Sequence, residues 1–231
     1  MNTPPKKSTF NILRDALQQG IYKVINPFVR LLIRMGVTPN VVSTIGMLGN
    51  LAATVLFAVA GIKALEDGGG HWDLIGIAGV VIIAFSLFDM LDGQVARLGG
   101  MASKFGAFYD SVLDRYSELL TLGGIAYYMI CIGQQAWALV TFLALVGSIM
   151  VSYARARAEG LGAECKVGFM QRPERVVVTA IAAIAAGITG ASGAVEGAVL
   201  IIGVAMAIIA LFANLTAFAR ILHTKKELNV K

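Results

Sequence analysis

Charged side chains are scarce in this chain of 231 residues: Asp, Glu, Lys and Arg together make up only 14% of it. A soluble domain usually carries about 25%. Hydrophobic residues reach 57% and the mean hydropathy is +0.76, so a fold of this size could not hide its apolar surface from water. That shortage excludes an ordinary cytosolic enzyme, a disordered chain and a nucleic-acid-binding module. Cysteine is nearly absent as well. Cys131 and Cys165 fit no zinc or redox spacing, and the topology derived below puts them near opposite membrane faces, so they are not expected to pair. The first 40 residues carry scattered charges and no clean apolar core before a cleavage motif, so no signal peptide is expected there. Neither a repeat nor a shift in composition marks a second domain. What remains is a single integral membrane domain over residues 1–231.

A helical membrane span needs about 20 mostly apolar residues. Six stretches qualify, at 41–62, 73–98, 104–132, 136–158, 174–188 and 194–222, which predicts an all-α protein of six transmembrane helices. Residues 21–34 differ, because Lys23, Arg30 and Arg34 interrupt their apolar positions. That pattern predicts an amphipathic helix lying in the membrane interface. Gly36, Thr38 and Pro39 then break this helix and start the first span.

Six spans place both termini on one side. Of the 19 lysines and arginines, all but Lys63 fall on that side, in or beside the terminal segments, the second-to-third connection and the fourth-to-fifth connection, with Arg115 further along the third span. The opposite loops hold Glu66, Asp67, Asp73 and Glu196. Basic residues mark the cytoplasmic side, so a multi-pass cell-membrane protein with both termini in the cytoplasm is expected. The net charge of +5 follows from this topology without any nucleic acid.

A carboxylate inside a span is costly and points to function. Four fall in one stretch. Asp89 and Asp92, three apart, share a face of the second span, and Asp110 and Asp114, four apart, share a face of the third. The short connection between these spans makes them antiparallel neighbours, so the two pairs can face each other. Four carboxylates at close quarters need protons or cations between them. Oxygen-only ligation suits Mg²⁺ or Mn²⁺, and four carboxylates can hold two such ions, a clamp suited to displacement at phosphorus. Salt bridges to Arg97 and Arg115, or an ion pathway, would be the other uses of such a cluster.

Residues 89–114 read DMLDGQVARLGGMASKFGAFYDSVLD. They match D-x2-D-G-x2-A-R-x8-G-x3-D-x3-D at all eight fixed positions: Asp89, Asp92, Gly93, Ala96, Arg97, Gly106, Asp110 and Asp114. This resembles the signature of the CDP-alcohol phosphotransferase family, and the likeness in span number extends over nearly the whole chain. The resemblance implies transfer of a phosphatidyl-type group from a CDP-linked lipid to an alcohol, with release of CMP. It implies that Asp89, Asp92, Asp110 and Asp114 ligate metal and that Asp114 is also the general base. It implies that Gly93, Arg97 and Ser103 hold the CDP part, together with Asn40 and Ser43 at the start of the first span. Those last two could equally be simple helix caps. It further implies a homodimer and an active site at the cytoplasmic face.

The acceptor is read from arginine. Arg155, Arg157, Arg172, Arg175 and Arg220 lie on segments ending at the cytoplasmic face. Arginine forks suit phosphate, which a neutral acceptor would not require; membrane anchoring is the other use for such residues. SYARARAEGLG, QRPER and FYDSVLDR resemble the phosphatidylinositol-phosphate synthase branch of the family, which uses inositol phosphate. The chain departs from that branch in having Arg155 where lysine is frequent and Gln171 where an acid is common. Glycerol-3-phosphate is the alternative acceptor, and a divalent-cation transporter or a non-catalytic membrane protein are the alternatives of other classes. The topology has a direct check: a cysteine placed at Lys166 should label only from the cytoplasmic side of sealed cells, and labelling from outside would overturn the orientation.

Overall fold

The structure, a computed structural model, describes residues 25–229, and among them there is no strand. Residues 25–34 form α1. The helices that follow are α2 (Pro39–Asp67), α3 (Trp72–Ser86), α4 (Phe88–Leu98), α5 (Lys104–Cys131), α6 (Gln135–Gly160), α7 (Arg172–Ala191) and α8 (Val195–Asn229). Of the interfacial helix expected at 21–34, residues 21–24 lie outside the described residues. The rest is helical and seats Val29 against Val42, Leu91 and Val95 of α2 and α4. Among the described residues, five stretches are long and apolar enough to cross a membrane: α2, α3 continued by α4, α6, α7 and α8. α5, expected as the third of six spans, has the length at 28 residues, but Asp110, Asp114, Arg115 and Glu118 crowd its first half.

Local chemistry sets the helix ends. Pro39 occupies the first turn of α2, where its missing N–H costs nothing, and Pro173 does the same in α7. Gly68 ends α2 at φ 73°, a left-handed conformation that suits glycine, and its N–H caps the Ala64 carbonyl. The Ser103 hydroxyl accepts from the Gly106 N–H at 2.9 Å and caps α5. The expected second span, 73–98, is interrupted at Leu87 between α3 and α4. No proline or glycine lies at that point in the chain, but the neighbouring face of α2 is bare there: an added Cβ at Gly49 would lie 1.9 Å from the Phe85 ring.

The helices pack as a closed ring. α2 packs against α3 and α5, α5 against α6, α6 against α8, α8 against α7, and α7 against α3. Side chains facing away from the ring are large and apolar, among them Leu139, Phe142, Ile188, Leu200, Leu211 and Phe218. Lipid is as apolar as leucine, so burying such residues gains little in a bilayer, and close backbone approach through small residues holds the helices instead. α3 and α7 meet in this way at Gly76 and Gly187, where an added Cβ on Gly187 would lie 2.4 Å from the Gly76 Cα and 2.9 Å from the Trp72 carbonyl oxygen. Backbone cannot step aside as a flexible side chain can. Gly187→Ala is therefore expected to destabilise the protein by about 3 kcal/mol, the upper end of overpacking costs. At Gly123 an added Cβ meets nothing within 4 Å. Thermal unfolding in detergent should show a clear drop for Gly187→Ala and none for Gly123→Ala.

Candidate active site

The two aspartate pairs meet at one end of the ring, where α4 and α5 run beside the start of α2. Asp89 lies in the first turn of α4, just past the interruption at Leu87, and Asp92 is buried one turn on. Ser43 of α2 donates from Oγ to Asp92 Oδ2 at 2.5 Å, with the Pro39 carbonyl oxygen 3.2 Å away as the other acceptor within its reach. Gly46 lets Asp89 lie against α2, since an added Cβ there would be 3.1 Å from Asp89 Oδ1. The Asp92 and Asp110 carboxyls are within hydrogen-bonding reach of each other. Arg172, in the first turn of α7, donates from Nη1 to Asp89 Oδ2 at 2.6 Å and approaches Asp114 Oδ1 to 2.9 Å. Arg115 Nη1 lies 3.5 Å from Asp114 Oδ2 and donates at 2.7 Å to the Ser111 carbonyl.

Donor chemistry decides whether these residues fit a divalent ion. All four are carboxylates, the ligands hard cations prefer. They stand in two close pairs, one sharing a guanidinium nitrogen and the other in mutual contact, and each pair is an arrangement that calls for positive charge. Among the described residues, no three acidic or histidine side chains are already set around one ion position. Arg172 lies between Asp89 and Asp114, while Asp92 turns toward Ser43 and Asp110. Donor type, number and proximity fit a metal, and side-chain rotation would complete its ligation.

A cleft of about 260 Å³ opens next to the cluster between α2, α4 and α5. Its walls bring together all five residues expected to hold the CDP part: Asn40, Ser43, Gly93, Arg97 and Ser103, with Asp92 and Asp110 at its edge. Two of the five have internal roles as well. Ser103 caps α5, and Ser43 braces Asp92 rather than capping α2, whose N-cap is Thr38.

The five arginines expected to hold the acceptor phosphate are placed very differently. Arg155 is half-buried on α6 and donates to Glu159 Oε1 at 2.8 Å, and Arg157 is exposed two residues on. Arg172 reaches the aspartates. Arg175 and Arg220 face inward and are 2% and 3% exposed. Arg220 donates to the Val151 carbonyl at 2.6 Å and the Val167 carbonyl at 2.9 Å, tying α8 to α6 and to the connection before α7. Arg175 is gripped by Glu118, from Nε to Oε1 at 2.5 Å and from Nη2 to Oε2 at 3.0 Å, and it donates from Nη1 to the Met170 carbonyl at 3.0 Å.

Glu118 is a fifth carboxylate within the ring, and the sequence reading passed over it. Its spacing was the available signal. Asp110, Asp114 and Glu118 recur every four residues and share one face of α5.

A ring of apolar helices with paired aspartates beside a polar cleft at one end is the frame of a membrane-embedded, metal-using lipid enzyme. The CDP-alcohol phosphatidyltransferase family matches residues 36–215, from just before α2 into α8, and the chain belongs to that family. It is 31% identical to the phosphatidylinositol phosphate synthase of Cutibacterium acnes over 214 residues, 92% of this chain and 97% of that one. The solved structure of Mycobacterium tuberculosis phosphatidylinositol phosphate synthase with CDP-DAG bound superposes with a TM-score of 0.73 at 28% identity, covering 87% of this chain and 94% of that one. The same enzyme in complex with manganese and citrate superposes with a TM-score of 0.72, also at 28% identity, covering 86% and 87%. The family resemblance read from residues 89–114 therefore holds, and a divalent metal is used within this family.

Proposed function

We propose that this protein transfers a phosphatidyl-type group from a CDP-linked lipid to the hydroxyl of inositol phosphate, releasing CMP. The observation that carries the reading is the meeting of Asp89, Asp92, Asp110 and Asp114 beside the cleft lined by Asn40, Ser43, Gly93, Arg97 and Ser103. Its support beyond geometry is the family and the synthases to which the chain is similar.

In this reading α5 is a sixth span, 21–34 is the interfacial helix, and the site and both termini face the cytoplasm. Helices rich in glycine and alanine can pack against a second copy, which is the basis for a homodimer. The four aspartates hold two Mg²⁺ or Mn²⁺ ions, which when bound neutralise the pyrophosphate and stabilise the departing CMP. Cleft residues orient the CDP part. Asp114 takes the proton from the acceptor hydroxyl as its oxygen bonds to the lipid-bearing phosphorus and the bond to CMP breaks. Arg172 holds Asp114 in place and adds positive charge where negative charge gathers. Arg155 and Arg157 offer forks to the acceptor phosphate, with Arg175 and Arg220 bracing the wall behind them. A cation transporter is disfavoured by packing, because beyond Glu118 and Arg175 the ring is filled by Phe57, Ile75, Ile125, Met129 and Met206.

Purified protein given a CDP-lipid and a panel of acceptors should release CMP with inositol phosphate. Preference for glycerol-3-phosphate or serine would overturn the acceptor assignment. Arg155→Ala should raise the acceptor KM about ten- to hundredfold, the worth of a charge-assisted hydrogen bond or two, whereas Lys225→Ala should not change it. Equal, mild effects at the two positions would leave anchoring as the use of Arg155.

The metal reading has its own check. Turnover should stop in excess chelator and return with Mg²⁺ or Mn²⁺, and Asp89→Asn and Asp110→Asn should abolish most of it. Asp114→Asn should lower kcat by about 10²–10⁴-fold, the usual contribution of a general base, with CDP-lipid binding largely kept. Full turnover of any of these variants would refute its assigned role.

A further inference from the structure

The Glu118–Arg175 pair lies directly behind the aspartate cluster, across the interior of the ring. α5 and α7 are not neighbours in that ring. Two arginines of α7, three residues apart, cross the gap to two acids of α5, four residues apart: Arg172 to Asp114, and Arg175 to Glu118. The inner rung is closed on both sides. Glu118 and Arg175 have side chains 5% and 2% exposed, and the grip is two-pronged. Asn50, Ser117, Thr121 and Thr179 line a cavity beside it of about 20 Å³, room for a single water. A guanidinium in such a place keeps its charge, and removing the carboxylate that grips it leaves that charge seeking another acceptor. The next carboxylate along that face of α5, one turn from Glu118, is Asp114.

We propose that Glu118 serves the reaction by holding Arg175 away from the catalytic aspartates, so that a single α7 guanidinium, that of Arg172, competes with metal for Asp89 and Asp114. The proposal rests on the metal reading above. Without the charge of Glu118, Arg175 turns toward Asp114 and a second guanidinium competes with the ions. Glu118→Gln is the direct variant, because Gln presents an N–H₂ where Arg175 Nη2 needs an acceptor. It is paired with Glu118→Gln/Arg175→Met, which removes both charges of the buried pair and leaves no guanidinium at 175 to reach the aspartates.

Mn²⁺ binding to the full-length protein in detergent, followed by electron paramagnetic resonance, reads the effect without any acceptor or turnover. Glu118→Gln should bind Mn²⁺ about tenfold more weakly than wild type, a mid-range coupling for residues in one network. Glu118→Gln/Arg175→Met should return to wild-type affinity. Wild-type affinity in Glu118→Gln overturns the proposal, and so does a double variant that folds and still binds weakly, since the rung would then be holding structure rather than sparing the metal. If Glu118→Gln does not fold, the double variant alone decides by the same criterion. Absence of Mn²⁺ binding in the wild type would overturn the metal reading itself, an outcome distinct from either.

Discussion

Five carboxylates gather in and beside the interior of a largely apolar ring, and the structure around them is shaped by the need to compensate their charge. In a medium of low dielectric an unpartnered charge costs several kcal/mol. Arg172 is shared between Asp89 and Asp114, Arg175 is closed on Glu118, and Asp92 accepts from Ser43, which leaves the Asp92–Asp110 pair open to a cation. These links join the packed group of α2, α4 and α5 to α7, which stands across the ring from α5. Small residues make the links sterically possible. Gly46 leaves room for Asp89, and Gly49 leaves room for Phe85, whose ring stacks on Phe88 at the turn into α4.

The two ends of the bundle differ accordingly. At the far end the contacts are tight and nearly neutral: Tyr128 donates to the Gly70 carbonyl at 2.6 Å, and the Trp72 ring packs edge-on against Tyr128 and close over Gly190. At the aspartate end a cleft opens between α2, α4 and α5, and the aromatic side chains of Phe105 and Phe108 are exposed near it. A donor with a polar nucleotide and an apolar tail matches that boundary, because one half can sit among polar groups while the other stays in lipid.

The sequence made the helices legible, since hydropathy averages over many residues and small errors at the ends cancel. All six expected spans are helical, most of them longer than the apolar stretch that revealed them; α2 runs to Asp67 past the expected end at 62, and α8 to Asn229 past 222. The aspartate pairs were legible because helix periodicity fixes which residues share a face. The break at Leu87 was not legible, because its correlate is a pair of glycines on a different helix, some forty residues earlier in the chain. Glu118 escaped for another reason. It continues the four-residue spacing of Asp110 and Asp114 one turn beyond the recognised pattern, and the position of Arg175 on α7 is what gives it a partner.

Arginine was the least legible residue type, and the reason is general. Charge count shows which side of a membrane a segment faces, but it does not show which way a long side chain points. Arg172 and Arg175 lie three positions apart in one short motif and on one helix face, yet one enters the aspartate cluster and the other is buried against Glu118. Arg155 and Arg220 both sit near the same helix ends, yet one reaches a partly exposed glutamate and the other two buried carbonyls. The difference lies in what stands opposite each residue across the ring. A guanidinium has five donors and a reach of several ångströms, so it settles on whichever acceptors the neighbouring helices leave unpaired. Its role in this protein is therefore fixed by Glu118, Asp114 and the carbonyls of Val151 and Val167, groups far from it in sequence. Where those acceptors are internal the arginine braces the fold, and where they belong to the site it becomes part of the chemistry.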